Sequence, residues 1–301
     1  MEAVEDDEVA PGKALVSASA DVAPAREAGG TFSNDLRAVK VVWRRELTRF
    51  YRDRLRIVST LVQPLLFLFV LGGGLAPVVS EGPEPFDLRT FLFPGVLAMA
   101  VLFPAIMSAV SIVWDREFGF LREMLVAPVS RTSLVMGKCL GGATVATGQG
   151  TLLLAVAGLV GVPYDFSLLA IVVLEMAVLA LVFSAIGILL AGRIAQVDSF
   201  QAVLQFFVVP TFFLSGALFP LNRLPDWLAL LTKLNPLTYA VDVLRRSIFS
   251  RLEVPESALD RLAPGITWNG WPLPPWFELA VVVTLGAVAL AAAVVQFSRA
   301  D

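Results

Sequence analysis

Six apolar runs, each long enough to cross a bilayer, constrain this chain more than anything else in it. They are Ile57–Pro77, Phe91–Val113, Leu134–Val162, Leu168–Gly192, Phe200–Phe219 and Phe277–Phe297. A helix needs roughly 20 apolar residues to span the hydrocarbon core, where every backbone amide must be paired internally. The composition agrees: 57% of the 301 residues are hydrophobic and 16% charged, against about 25% charged in an ordinary soluble domain. Mean hydropathy is +0.76. The expectation is an all-α polytopic membrane protein with six transmembrane helices and both termini on one side. The glycines at 72–74 should weaken the far end of the first run, and the long, Gly-rich third run should tilt or break.

Lys and Arg in the flanks set the orientation. Residues 37–56 carry Arg37, Lys40, Arg44, Arg45, Arg49, Arg52, Arg54 and Arg56, whereas the loop PVVSEGPEPFDL that follows the first run has acids only. The second loop holds Arg116, Arg122, Arg131 and Lys138, the third has no basic residue, and the fourth has Arg193. The termini and the second loop are therefore predicted to be cytoplasmic. The fifth loop, Pro220–Trp276, is basic but long, and long loops follow the rule poorly.

Outside the runs, residues 1–33 are acidic and then Ala/Ser/Pro-rich, the composition of a disordered tail. They lack the basic start and apolar core of a signal peptide. Residues 34–56 place Leu36, Val39, Val42, Trp43, Leu47 and Phe50 near one helical face and basic residues on the other, as in a helix lying in the headgroup region. In the fifth loop, residues 220–249 hold two short apolar segments, Trp227–Leu234 and Leu237–Phe249, parted by Asn235-Pro236. With Pro225 before them and Trp227 and Tyr239 suited to an interface, they read as a helical hairpin that dips back into the outer leaflet. An extracellular segment, about 250–276, follows.

The chemistry that the chain excludes is equally informative. It has no histidine and one cysteine, Cys139, which removes the usual general base, most zinc sites and any internal disulfide. A net charge of −3 gives no reason to expect nucleic acid. No phosphate-binding Gly-x-x-x-x-Gly-Lys-Ser/Thr occurs; Gly137-Lys138-Cys139 lacks both the leading Gly and the hydroxyl. An ion-coupled secondary transporter would show several intramembrane ionisable residues and an internal repeat, and neither is present. An intramembrane enzyme would need paired carboxylates or a nucleophile motif.

One polar segment interrupts the runs: Asp115–Arg131, DREFGFLREMLVAPVSR. It is predicted to be an amphipathic helix with an apolar stripe of Phe118, Leu121, Met124 and Leu125, stopped by Pro128, and shaped to seat in a groove of a partner. Glu175 is the acid deepest within a run, and it must face protein, water or a substrate; a structural role is favoured, with Gln149 or Gln205 as its neighbour. Phe206, Phe207, Phe212 and Phe213 make the fifth run aromatic. They are candidates for a substrate path, with packing against neighbouring helices the alternative. Gly137-x-x-x-Gly141 offers close helix approach.

Residues 35–300 resemble the membrane subunits of type 2 ATP-binding-cassette (ABC) exporters, in particular the daunorubicin-exporter and nodulation-factor-exporter branch. Glu117, Gly119, Glu123, Leu125 and Pro128 match that family's coupling-helix pattern Glu-x-Gly-Thr-x-Glu-x-Leu-x-x-Pro, with Phe120 where Thr is usual. FLSGALFPLNRLPDWLALLTKLNPLTYAVDVLR resembles its fifth span and re-entrant hairpin. The resemblance implies a permease in the bacterial plasma membrane that has no catalytic site, cofactor or metal of its own. It implies a separate ATPase subunit using ATP and Mg, a second permease copy or sister permease, and a lipid surround. Arg116, Glu117, Phe118, Gly119, Leu121, Glu123, Leu125 and Pro128 would meet the ATPase. The implied cargo is a hydrophobic or amphipathic drug or lipid, or alternatively a polysaccharide or lipid-linked glycan.

Overall fold

The computed structural model describes residues 32–79, 87–119, 130–221, 224–252, 265–268 and 270–299. The acidic tail, most of the predicted coupling segment (120–129) and residues 253–264 lie outside them. The described chain is almost wholly helical: α1 (Phe32–Arg52), α2 (Arg54–Leu66), α3 (Gly72–Val79), α4 (Leu88–Met107), α5 (Val110–Glu117), α6 (Arg131–Leu154), α7 (Phe166–Ala191), α8 (Val197–Phe213), α9 (Asp226–Leu234), α10 (Pro236–Phe249) and α11 (Pro275–Arg299). A short antiparallel pair, β1 (Thr267–Trp268) and β2 (Trp271–Pro272), precedes α11.

Helix starts follow from side chains that accept the otherwise unpaired first amides. Asp53 accepts from Arg56 N, Asp87 from Arg89 N, Ser130 from Ser133 N, Asp165 from Ser167 N and Asn235 from Leu237 N. Between α2 and α3 the chain makes a π turn, Phe67–Leu71, without leaving the helix. Four residues past Pro104, α4 gives way to a turn at Ser108–Ala109, and α5 carries on from it.

Four helical segments are long and apolar enough to cross a membrane: Arg54–Leu75, Leu88–Glu117, Phe166–Ala191 and Pro275–Ser298. The third predicted run forms α6, which carries Lys138, Gln149 and several glycines, then breaks at Ala155–Val156 before a 3-10 turn, Ala157–Val160. The fifth forms α8, of 17 residues, short of the roughly 20 that a full crossing needs.

α4 is the central helix, with nearly every side chain from Thr90 to Ile106 buried. It packs on α6, α7 and α10; α7 in turn carries α11. The amphipathic α1 does not stand off from the bundle. It lies along the first half of α6, where Gly137 and Gly141 let it approach. A Cβ on Gly137 would sit 2.8 Å from Val42 Cβ, and one on Gly141 the same distance from Glu46 Cβ. Trp43 Nε1 donates to Thr144 Oγ1 at 3.0 Å to close that seam.

Candidate coupling site and central cavity

At one end of the bundle, where α1, α5 and the start of α6 meet, charged side chains are wired to helix termini. Arg116, in the last turn of α5, donates from Nη1 to Ala191 O (3.2 Å) and Ile194 O (2.9 Å), and from Nη2 to Gly192 O (3.0 Å). Those carbonyls lie at and just beyond the C-terminal end of α7, where a cation is the favoured partner. The next residue, Glu117, accepts the Val197 amide at 2.9 Å and so receives the first N–H of α8. Arg116 and Glu117 thus clasp the α7–α8 turn from both sides.

Arg131 does the same at a third helix. Its Nη1 donates to Phe297 O at 2.9 Å and Ser298 O at 3.0 Å, at the C-terminal end of α11. The segment from Arg116 to Arg131 is therefore tied at both ends to helices distant in sequence. Nearby, Lys138 is 7% exposed, with Nζ 2.7 Å from Asp115 Oδ2 and 3.0 Å from Ser111 Oγ. Arg45 approaches the same Asp115 oxygen at 3.4 Å. A buried ammonium requires such pairing. Asp35 of α1, outside the apolar helices, is held below the usual carboxylate range by the Ser130 hydroxyl.

The predicted helix does not begin as one piece. Asp115, Arg116 and Glu117 belong to α5, which stops at Phe118, and Gly119 takes φ +81°. That left-handed conformation is the usual glycine helix stop, and it breaks the stretch that periodicity read as continuous from Asp115. Phe118 is exposed and packs edge-on against Trp114, 6.1 Å between centroids. Leu121, Glu123, Leu125 and Pro128 lie outside the described residues.

At the opposite end, α9 and α10 are separated at Asn235, which caps α10 with Pro236 in its first turn. Asn235 Nδ2 also donates to Thr211 O of α8 at 2.6 Å, tying the hairpin to that helix, and Tyr239 OH donates to Lys233 O at 2.6 Å, folding α9 and α10 together. Pro225 sits just ahead of α9, and Trp227 is exposed. Two arginines that the charge pattern treated as loop residues are anchors here, Arg245 buried and Arg246 half-buried. Arg245 donates to Gly216 O at 2.7 Å and lies 4.5 Å over the Phe91 ring. Arg246 lies 2.7 Å from Asp242 and 3.0 Å from Glu278, itself fully buried at the start of α11. The signal in the sequence was an Arg pair inside an apolar helix, which needs partners.

Glu175 is placed against this hairpin. Its Oε1 accepts from Ser247 at 2.5 Å, rather than from Gln149 or Gln205. Neither Glu175 nor the four phenylalanines line the central cavity. Phe206 is 84% exposed on the outer face of α8 and Phe213 is exposed as well, while Phe212 is buried edge-on against Phe67. The opposite face of α8, with Gln201, Leu204, Gln205 and Val208, looks into a cavity of about 560 Å³ bounded also by α1, α2, α4, α5 and α6. The fifth run thus turns its glutamines inward and two of its phenylalanines outward.

This architecture has known relatives. The family description ABC-2 type transporter matches residues 37–249, well over half of the chain. The chain belongs to the ABC-2 type transporter family. It is 28% identical over 222 residues to the inner membrane transport permease YadH of Escherichia coli K12, covering 72% of this chain and 85% of that one. Similarity to the probable multidrug ABC transporter permease YbhR of the same organism is 29% over 209 residues, 68% of this chain and 52% of YbhR. Nodulation protein J of Rhizobium leguminosarum bv. viciae is 27% identical over 214 residues, 70% of this chain and 82% of that protein. The ABC-2 match ends at Phe249, so it takes in the Arg116–Glu117 clasp and the hairpin but not α11. The ABC-2 chain is thus a membrane subunit of an ABC transporter.

Proposed function

We propose that this subunit moves a hydrophobic or amphipathic molecule outward, driven by ATP that a separate ATPase subunit hydrolyses with Mg. The relation that carries the reading is the double anchorage of the coupling segment, Arg116 and Glu117 on the α7–α8 turn and Arg131 on the end of α11. A push on that segment reaches α7, α8 and α11 through charge-assisted bonds. Phe118, Leu121, Glu123 and Leu125 supply the surface on which the ATPase bears.

In this reading the segment is cytoplasmic, six helices cross the plasma membrane of a bacterium, and α9–α10 re-enter it from the outside. The flanks support that orientation, since the bases of residues 37–56 and the second loop lie on one side. The central cavity receives the substrate, and a second permease subunit completes the path. The multidrug description of YbhR favours a small amphiphile over a polymer.

The test is purification from the native membrane followed by reconstitution. An ATPase with a phosphate-binding loop should accompany the chain, and proteoliposomes holding both should show ATP-dependent accumulation of an amphiphile. Absence of any such ATPase from the purified complex would overturn the proposal.

A further inference from the structure

We infer that the central cavity selects an uncharged amphiphile whose head group donates hydrogen bonds, such as one bearing hydroxyls or amides. This rests on the exporter reading and narrows its substrate class.

The cavity pairs an apolar wall, Met99, Phe103 and Leu204 among others, with a set of neutral polar groups from several helices: Thr60, Gln63, Gln149 and Gln205. Its charged lining cancels, two acids (Glu46 and Asp53) against two bases (Arg49 and Arg56). Arg49 is already placed over the Trp114 ring, 5.4 Å from its centroid. A cationic head would meet the two arginines and an anionic head the two carboxylates, each losing water on the way in. Neither sign has a net partner.

The polarity of the hydrogen bonding is set by Gln149, 2% exposed on α6. Its Nε2 donates to Thr60 Oγ1 at 2.5 Å, and the Thr60 hydroxyl is itself committed to Arg56 O at 2.8 Å. With the Thr60 proton on a backbone carbonyl of its own helix, the hydroxyl accepts from Gln149 and Oε1 is the spare acceptor. That Oε1 has no hydrogen-bond partner, whereas Glu46 Oε1, also on the lining, is ion-paired with Arg45 at 3.8 Å. A bare amide acceptor shut away from water is costly, and a ligand O–H or N–H is what it lacks.

The full chain in nanodiscs, with empty nanodiscs subtracted, tests this with three radiolabelled dodecyl probes. These are the neutral dodecyl maltoside, the anionic dodecyl phosphate and the cationic dodecyltrimethylammonium. Dodecyl maltoside is expected to bind saturably and at least tenfold more tightly than either charged probe. Gln149→Leu should weaken it about tenfold and leave the charged probes unmoved. Gln205→Leu, at an exposed position that the fold does not depend on, should weaken it too. Equal or tighter binding of a charged probe, no saturable binding at all, or wild-type affinity in both variants would overturn the inference. The exporter reading is tested apart, by ATP-driven transport in the copurified complex: transport without the neutral preference sinks only the substrate class, and the preference without ATP-driven transport sinks only the exporter.

Discussion

Arg131 and Phe297 meet across the bundle, the guanidinium at the start of α6 donating to a carbonyl in the last turn of α11 at 2.9 Å. Arg116 repeats the device at the end of α7. In both cases an arginine fork completes a helix terminus that its own chain cannot, and the fork geometry reaches two or three carbonyls where an ammonium would reach one.

Substitution should therefore separate coupling from folding. Arg116→Ala and Arg131→Ala are each expected to cost about 1–3 kcal/mol of stability, visible as a lower melting temperature in detergent. In proteoliposomes with the ATPase, the ratio of substrate moved to ATP hydrolysed should fall several-fold, and Arg116→Lys should recover only part of it. An unchanged ratio in both alanine variants would mean that the clasp carries no force.

The α1–α6 seam makes a contrasting pair of glycines. Gly141→Ala places a Cβ 2.8 Å from Glu46 Cβ, so α1 must shift, while Gly148 has nothing within 4 Å of the same atom. Gly141→Ala should destabilise by about 1–3 kcal/mol. Gly148→Ala should stabilise by about 0.5–1 kcal/mol, because it relieves the helix of a flexible residue. Thermal unfolding of the two variants side by side reads the sign.

Arg246 holds the hairpin to α11 through a carboxylate that has no access to water. Glu278→Ala leaves the arginine with Asp242 and the Leu273 carbonyl, whereas Arg246→Ala strands both Asp242 and Glu278. The second loss is expected to be the larger, about 3 kcal/mol or more, with Arg246→Met/Asp242→Leu/Glu278→Met, which removes all three charges, recovering much of it. A denaturation series in which the triple variant is worse than Arg246→Ala would contradict this account.

Asp165 supplies a pH test outside the membrane. The Ser167 amide first, then its hydroxyl and Arg251, hold this exposed carboxyl below its ordinary value. A depressed folded pKa means stability that is present above the unfolded pKa, about 4, and lost as pH falls through the folded one. The stability difference between the wild type and Asp165→Asn should therefore be present at pH 7 and close below about pH 4. A difference constant across that range would exclude the carboxylate as its source.

Much of the fold was legible because apolar length is a local quantity. The helices follow the runs, and the Asn235-Pro236 break follows from what proline does to the residue before it. What the sequence hid depends on partners far along the chain. Arg116 reads as one of several loop cations, yet its partners are 75 to 78 residues away. Lys138 also reads as a loop charge but is buried against Asp115. The inward glutamines of α8 were outweighed by its more conspicuous phenylalanines, since a short helix with apolar residues all round does not declare which face is inside. Gly119 matches the coupling pattern in sequence, but its left-handed backbone, which ends α5, is visible only in the structure.

The π turn at Phe67–Leu71 holds one residue more than an α-helix would need there. It therefore sets the rotational phase of everything beyond it. Gly72 lies against Arg89, with a Cβ built on the glycine 3.6 Å from Arg89 Cβ, a separation that a disulfide can bridge. Removing any single residue between 67 and 71 would let the helix rewind and swing Gly72 about 100° around its axis. A Gly72→Cys/Arg89→Cys pair should then oxidise readily in the parent and fail to do so in the deletion, making the first crossing a ratchet with one tooth to spare.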